Sequence, residues 1–249
     1  MFAGHPLRKA ISSLQLSVLF ASAAWATHGG PDKAPATPTF RWEEGKPGCT
    51  FSRDDDGKYR YGLWTADFGV ILAVDSQELE KVRRRARPMF ALQLTVHYRG
   101  KDSLDLEPGK ITLEFVKHYH DVHNSLDPDT LASKERDDLA ASAAETEREI
   151  RKHPEKKKEK EAALAAYQKD AAEMIRFLNT VSLRGAKLNP EHPEVTGWVL
   201  FGTKSKWIDE LQKQEEFVLR IPLAGRVVEF PFSLPLSEGD LILRRRPEN

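Results

Sequence analysis

Between Asp127 and Val181 the chain changes character, and that change limits what the whole can fold into. Residues 129–153 are rich in Ala, Glu, Lys and Arg and contain neither Gly nor Pro. Asp127-Pro128 ahead of them supplies an N-cap followed by a proline in the first helical position, so the segment predicts a helix of about 25 residues. His153-Pro154 interrupts it, Pro154 can open a second helix, and that helix runs to about Val181. In the second helix Leu164, Tyr167, Ala171, Met174, Leu178 and Val181 are spaced 3, 4, 3, 4 and 3, the period of a coiled-coil seam. The first helix answers with Leu139, Ala143, Thr146 and Ile150, spaced 4, 3 and 4, with smaller side chains. Two antiparallel helices of this length extend roughly 35–40 Å at 1.5 Å per residue. The charged tip, Lys156-Lys157-Lys158-Glu159-Lys160, and the thin seam suit a hairpin that stands away from the body. The apolar stripe suits equally a hairpin laid against a sheet, and on sequence both arrangements stay open.

On either side of this insertion the chain reads as strands. Gly48–Phe51, Tyr59–Trp64, Gly69–Val74, Phe90–Tyr98 and Ile111–His120 precede it; Val195–Phe201, Glu216–Ile221, Arg226–Phe232 and Leu241–Leu243 follow it. Val, Ile, Thr and aromatic residues dominate them, and turn signals such as Asp54-Asp55-Asp56-Gly57 and Glu107-Pro108-Gly109 separate them. In Phe90–Tyr98, Leu92, Leu94, Val96 and Tyr98 share one face while Gln93, Thr95 and His97 share the other, so one face is core and one is wet. Ile111, Leu113 and Phe115 alternate with Thr112 and Glu114 in the same way. Leu223-Ala224-Gly225-Arg226 reads as a hairpin turn, and Asp75–Ala86 as a short helix with a capping box from Asp75 to Glu78. About nine short strands interrupted once by helices point to a mainly β fold with an α insertion. The expectation is an immunoglobulin-like antiparallel β-sandwich interrupted by a long antiparallel helical hairpin at about 127–181, in a single domain over residues 40–249.

The N-terminus sets the compartment. Arg8 and Lys9 precede the largely apolar run Ile11–Ala24, and Ala24-Trp25-Ala26 is a small-x-small cleavage site, so residues 1–26 read as a secretory signal peptide. The run is too short and too rich in Ser and Gln for a spanning helix, and no membrane span is expected after cleavage. Residues 27–39, rich in Pro, Gly, Thr and Ala, read as a flexible linker. The expected location is periplasmic or extracellular. Losing Arg8 and Lys9 leaves 36 Lys plus Arg against 38 Asp plus Glu, a formal charge of −2, which gives no support to a nucleic-acid partner. Cys49 is the only cysteine, so no internal disulfide can form despite an oxidising compartment. It reads as a buried or semi-buried thiol, with an intermolecular disulfide as the alternative.

Thr196-Gly-Trp-Val-Leu-Phe201, Phe217-Val-Leu-Arg-Ile-Pro-Leu223 and Val228-Glu-Phe-Pro-Phe232 together resemble the closing half of bacterial secreted immunoglobulin-like β-sandwich proteins of unassigned function. The resemblance implies fold and export and supplies no catalytic residues. The cysteine pair of antibody-type domains is absent.

Three function classes follow. The leading one is a non-enzymatic interaction or structural protein that presents the hairpin to an envelope or extracellular protein or glycan, because a hairpin of this length is costly to order unless packing or binding offsets it. The second is a metal-binding protein or metalloenzyme. His118 and His120 are two apart in a predicted strand and so share a face, His123 follows, and His97 lies on the polar face of another strand; an all-nitrogen set suits zinc or copper. The third is a glycan-binding module using Trp42, Trp64, Trp198 and Trp207 with Tyr59 and Tyr61. The acidic run Asp54–Asp56 lacks the glutamate that a calcium loop needs near residue 65, which is Thr. The basic clusters Arg83–Arg85, Lys156–Lys158 and Arg244–Arg246 read as solvated faces in a chain of near-zero charge. No Gly-x-Ser-x-Gly elbow, His-Glu-x-x-His, phosphate-binding glycine loop or dinucleotide fingerprint occurs, which favours a non-enzymatic reading.

Overall fold

The computed structural model describes residues 37–53, 58–74, 89–202 and 214–234. The predicted signal peptide, the acidic turn at Asp54–Gly57, the short helix at Asp75–Ala86, the strand at Leu241–Leu243, Trp207, and the clusters Arg83–Arg85 and Arg244–Arg246 lie outside the described residues. Of the linker, residues 37–39 are described, and Thr39 already belongs to a strand.

Among the described residues, twelve strands and two α-helices follow one another. They are β1 (Thr39–Arg41), β2 (Cys49–Arg53), β3 (Tyr59–Trp64), β4 (Phe68–Val74), β5 (Met89–Tyr98), β6 (Leu104–Leu106), β7 (Thr112–Phe115), β8 (Asp121–Asn124), α1 (Pro128–Lys152), α2 (Lys157–Thr180), β9 (Ala186–Leu188), β10 (Glu194–Gly202), β11 (Glu215–Leu223) and β12 (Arg226–Leu234). The architecture is mixed and mostly strand: two five-stranded sheets plus a helical hairpin. The first sheet has the order β1-β12-β11-β7-β8 and the second β10-β5-β4-β3-β2, while β6 and β9 form a small ribbon. Among the described strands pairing is antiparallel except for β1, which runs parallel to β12 with Phe40 opposite Val228.

Alternation explains how the sheets share a core. From β5, Phe90, Leu92, Leu94 and Val96 enter it; from β11, Phe217, Leu219 and Ile221; from β12, Val228, Phe230 and Phe232. Phe217 stacks on Phe232 at 5.1 Å and lies 4.9 Å from Phe90, so the two sheets meet through aromatic rings. Cys49 is half-buried against this core, and Ala224 and Gly225, with φ of 53° and 67°, form the tight turn between β11 and β12.

A second, smaller core answers the question the sequence left open. Met89, Ala91 and Leu200, on the opposite face of β5 and β10, pack against Ala132 of α1 and Met174 and Leu178 of α2. The hairpin is therefore rooted on the outer face of the second sheet. Asp127 caps α1, its Oδ1 accepting from the Thr130 N–H at 2.7 Å, and hydrogen bonding from the Thr130 side chain, together with that N–H, holds the Asp127 carboxyl below its ordinary pKa. Beyond this root burial ends: from Arg136 to Asp170 no residue is buried. The base packs and the arm projects.

Both ends of the insertion are stitched to one strand. The Leu126 N–H donates to the Leu200 carbonyl at 2.7 Å, the Trp198 N–H donates to Val181 at 2.8 Å, and the Leu183 N–H donates to Trp198 at 2.8 Å. The otherwise open edge of β10 is thus covered by the segments leading into and out of the hairpin, which blunts it against pairing with another chain.

Candidate functional site

The predicted strand Ile111–His120 ends early. β7 stops at Phe115, and Val116–His120 form a turn in which Tyr119 and His120 both have left-handed backbones, with φ of 59° and 56°. Such φ values are uncommon for non-glycine residues. Here the turn is held by side chains at both flanks. Glu215 Oε1 accepts from the Lys117 N–H at 3.0 Å and the Glu216 N–H at 3.1 Å, while Glu215 Oε2 lies 2.9 Å from His118 Nδ1. On the other flank His120 Nδ1 lies 2.5 Å from Glu114 Oε1.

This corrects the expectation that His118 and His120 share a face. Glu215 alternates with Phe217 and Leu219 and so sits on the core-facing side of its sheet, whereas Glu114 lies between Leu113 and Phe115 and points to the outside. The turn therefore sends the two imidazoles to opposite sides of one sheet. His123 lies 3.3 Å from Asp121 and edge-on to the Phe115 ring at 5.2 Å. His97 is on the outer face of the other sheet, 3.2 Å from Glu194 and stacked beside Trp64 at 5.3 Å. Four histidines contact four different carboxylates. Among the described residues no three His, Cys, Asp or Glu side chains are grouped as a bound metal ion would require.

Glu114 is part of a row that periodicity did not reveal. Its Oε2 lies 2.5 Å from Arg220 Nη2; Arg220 Nε donates to Glu229 Oε1 at 2.9 Å; Arg41 Nη1 donates to Glu229 Oε2 at 2.7 Å. The register aligns Arg220 with Glu229 and Glu229 with Arg41, so alternating charges cross β7, β11, β12 and the parallel strand β1. Burial alone would raise the Glu114 carboxyl, but the hydrogen bonds and charges of His120 and Arg220 outweigh it and hold it below its ordinary value. A carboxylate held ionised in this way is poorly placed to act as a general acid near neutral pH. The row borders a shallow groove of about 430 Å³ beside Trp42, Glu216 and Pro231. Its evident work is structural: it ties the short edge strand β1 to the sheet.

The aromatic residues do not form one platform. Trp42 and Tyr61 are core, 5.0 Å apart. Trp198 packs on Phe177 of α2 at 5.9 Å. Trp64 lies over Gly69, where even a Cβ would meet its ring at 2.1 Å, and the Arg99 guanidinium covers it at 4.6 Å. The indole is thus already stacked by the protein's own residues.

What remains is the arm. Its seam is half-buried at Leu139, Ala143, Thr146, Ile150, Leu164 and Tyr167, and most of its remaining surface is exposed. Arg148–Lys160 carries seven Lys and Arg against three Glu, while the flanking shaft, residues 136–147 and 161–170, carries two basic against six acidic residues. Charge on the arm is segregated, with a tip of net +4 and a shaft of net −4. No described helix is long and apolar enough to cross a membrane. Comparison with protein-family models, with characterised proteins and with solved structures finds no match.

Proposed function

We propose that this is an exported, non-enzymatic interaction or structural protein: an immunoglobulin-like β-sandwich that presents a helical arm to another envelope or extracellular macromolecule. The observation that carries this reading is the division of the hairpin. Its root, at Ala132, Met174 and Leu178, is packed on the body like any core element. Its outer part, from Arg136 to Asp170, has no buried residue. Most helical stability in proteins comes from packing of an amphipathic face, so a long stretch whose seam is only half-buried is explained best by a partner. The two-sheet core with nearly all pairing antiparallel supports the immunoglobulin-like description, and the parallel strand β1 is a local addition to it.

The test replaces residues 137–169 with a short Gly-Ser loop, keeping the root. The truncated chain is expected to melt cooperatively near the temperature of the full chain and to lose retention of envelope components that the full chain holds in a pull-down. A truncated chain that retains every component held by the full chain overturns the reading.

A further inference from the structure

The arm's charge pattern is self-complementary. A tip of net +4 beside a shaft of net −4 gives an antiparallel pair of arms two identical contacts, each tip on the other's shaft. That is the arrangement a two-fold axis requires. We infer that the arm pairs with the arm of a second copy of this chain, antiparallel, to make a four-helix bundle.

The inference rests on the reading of the hairpin as the interaction element and names its partner. Two further observations favour a second copy. The seam residues Leu139, Ile150, Leu164 and Tyr167 are only half-buried within one hairpin, and facing another such seam completes the kind of core that four-helix bundles share. At the tip, Arg148, Arg151, Lys156 and Lys158 make no ion pair among the described residues, and the lysines occupy the start of α2, where the helix dipole disfavours cations. Acidic residues of another shaft, Asp137, Glu145 and Glu147, satisfy both.

Size sets the strength. Seventeen residues of α1, Arg136 to Lys152, span about 25 Å, and two helices side by side are about 20 Å wide. The pair therefore buries on the order of 1,000 Å² in total, the lower limit for a specific interface. The dimer is weak, and because its charges are exposed, salt screens it.

Sedimentation velocity of the mature chain tests this. At low salt a concentration-dependent dimer is expected, and at high salt a monomer. A tip variant, Lys156→Glu with Lys157→Glu and Lys158→Glu, takes the tip from +4 to −2; a shaft variant, Asp137→Lys with Glu145→Lys and Glu147→Lys, takes the shaft from −4 to +2. Each alone is expected to be monomeric, and an equimolar mixture is expected to restore the dimer, since every tip then again faces a shaft of opposite sign. Circular dichroism checks that both variants keep their helices; if one does not, Lys156→Gln with Lys157→Gln and Lys158→Gln, or Asp137→Asn with Glu145→Gln and Glu147→Gln, replaces it, with loss of the dimer as its readout. A wild-type chain that stays monomeric, or variants that dimerise as well as wild type, overturns the inference. A monomeric chain whose truncation still abolishes capture of an envelope component leaves the interaction reading standing; one whose truncation changes nothing overturns both.

Discussion

The root and the arm of the hairpin belong to the same two helices and follow the same seam period, yet one is core and the other surface. The difference lies in side-chain size and in what stands opposite. At the root, Met174, Phe177 and Leu178 face Met89, Ala91, Trp198 and Leu200 of the sheet. In the arm, Ala143 and Thr146 are small, and the seam stays half-exposed. Period tells which faces meet; it does not tell whether a third surface covers them.

The largest effect that sharpens this contrast comes from truncating equivalent leucines. Leu178→Ala, fully buried, is expected to cost about 2–5 kcal/mol, and Leu164→Ala, half-exposed, clearly less than half of that, by chemical denaturation of the monomer. Equal losses would break the contrast. Next is Gly197→Ala: the added Cβ would stand 2.6 Å from the backbone of Leu183, where the chain leaves the hairpin, and backbone cannot step aside as a side-chain end can. A loss of about 1–3 kcal/mol is expected, with faster amide exchange at Leu183. Asp127→Ala removes the cap that starts α1 and is expected to cost about 1 kcal/mol, read by thermal melting.

The smallest effect concerns pH. Because Glu114 is held below its ordinary value of 4.5, it contributes stability that is fully present above that value and is lost as the pH falls through its lower folded value. Glu114→Gln is expected to flatten the acid limb of a stability-against-pH curve below about pH 4.5 while leaving arm helicity unchanged. A curve of unchanged slope would remove Glu114 from the account of acid stability.

Local chemistry foretold local structure well. Asp127-Pro128, the interruption at His153-Pro154 and the Ala224-Gly225 turn all stand where turn and cap preferences put them, because each depends on residues a few positions apart. The core face of β5, with Leu92, Leu94 and Val96, held for the same reason, whereas the face read as wet is covered at Ala91 by the root of the hairpin. What could not be read depended on distant partners. Glu114 has the alternation of a wet position, and only the arrival of Arg220, more than a hundred residues later, makes its burial affordable. The turn at Val116–His120 contains neither Gly nor Pro; His118 and His120 belong to it through Glu215 and Glu114, so strand periodicity placed both imidazoles on one face and the fold separated them. The parallel strand β1 pairs with a strand almost two hundred residues away, beyond the reach of any pattern. The apolar run Val195–Phe201 did carry a signal: a strand apolar on both faces is covered on both, and the root of the hairpin is that second cover.

Because the chain leaves for the hairpin and returns from it along a single strand, β10, the body is indifferent to how far the excursion travels. Adding seven residues to each helix would keep the seam on its face and move the tip outward by about 10 Å. The insertion is in effect a ruler: a distance that mutation can reset in steps, with the platform beneath it unchanged.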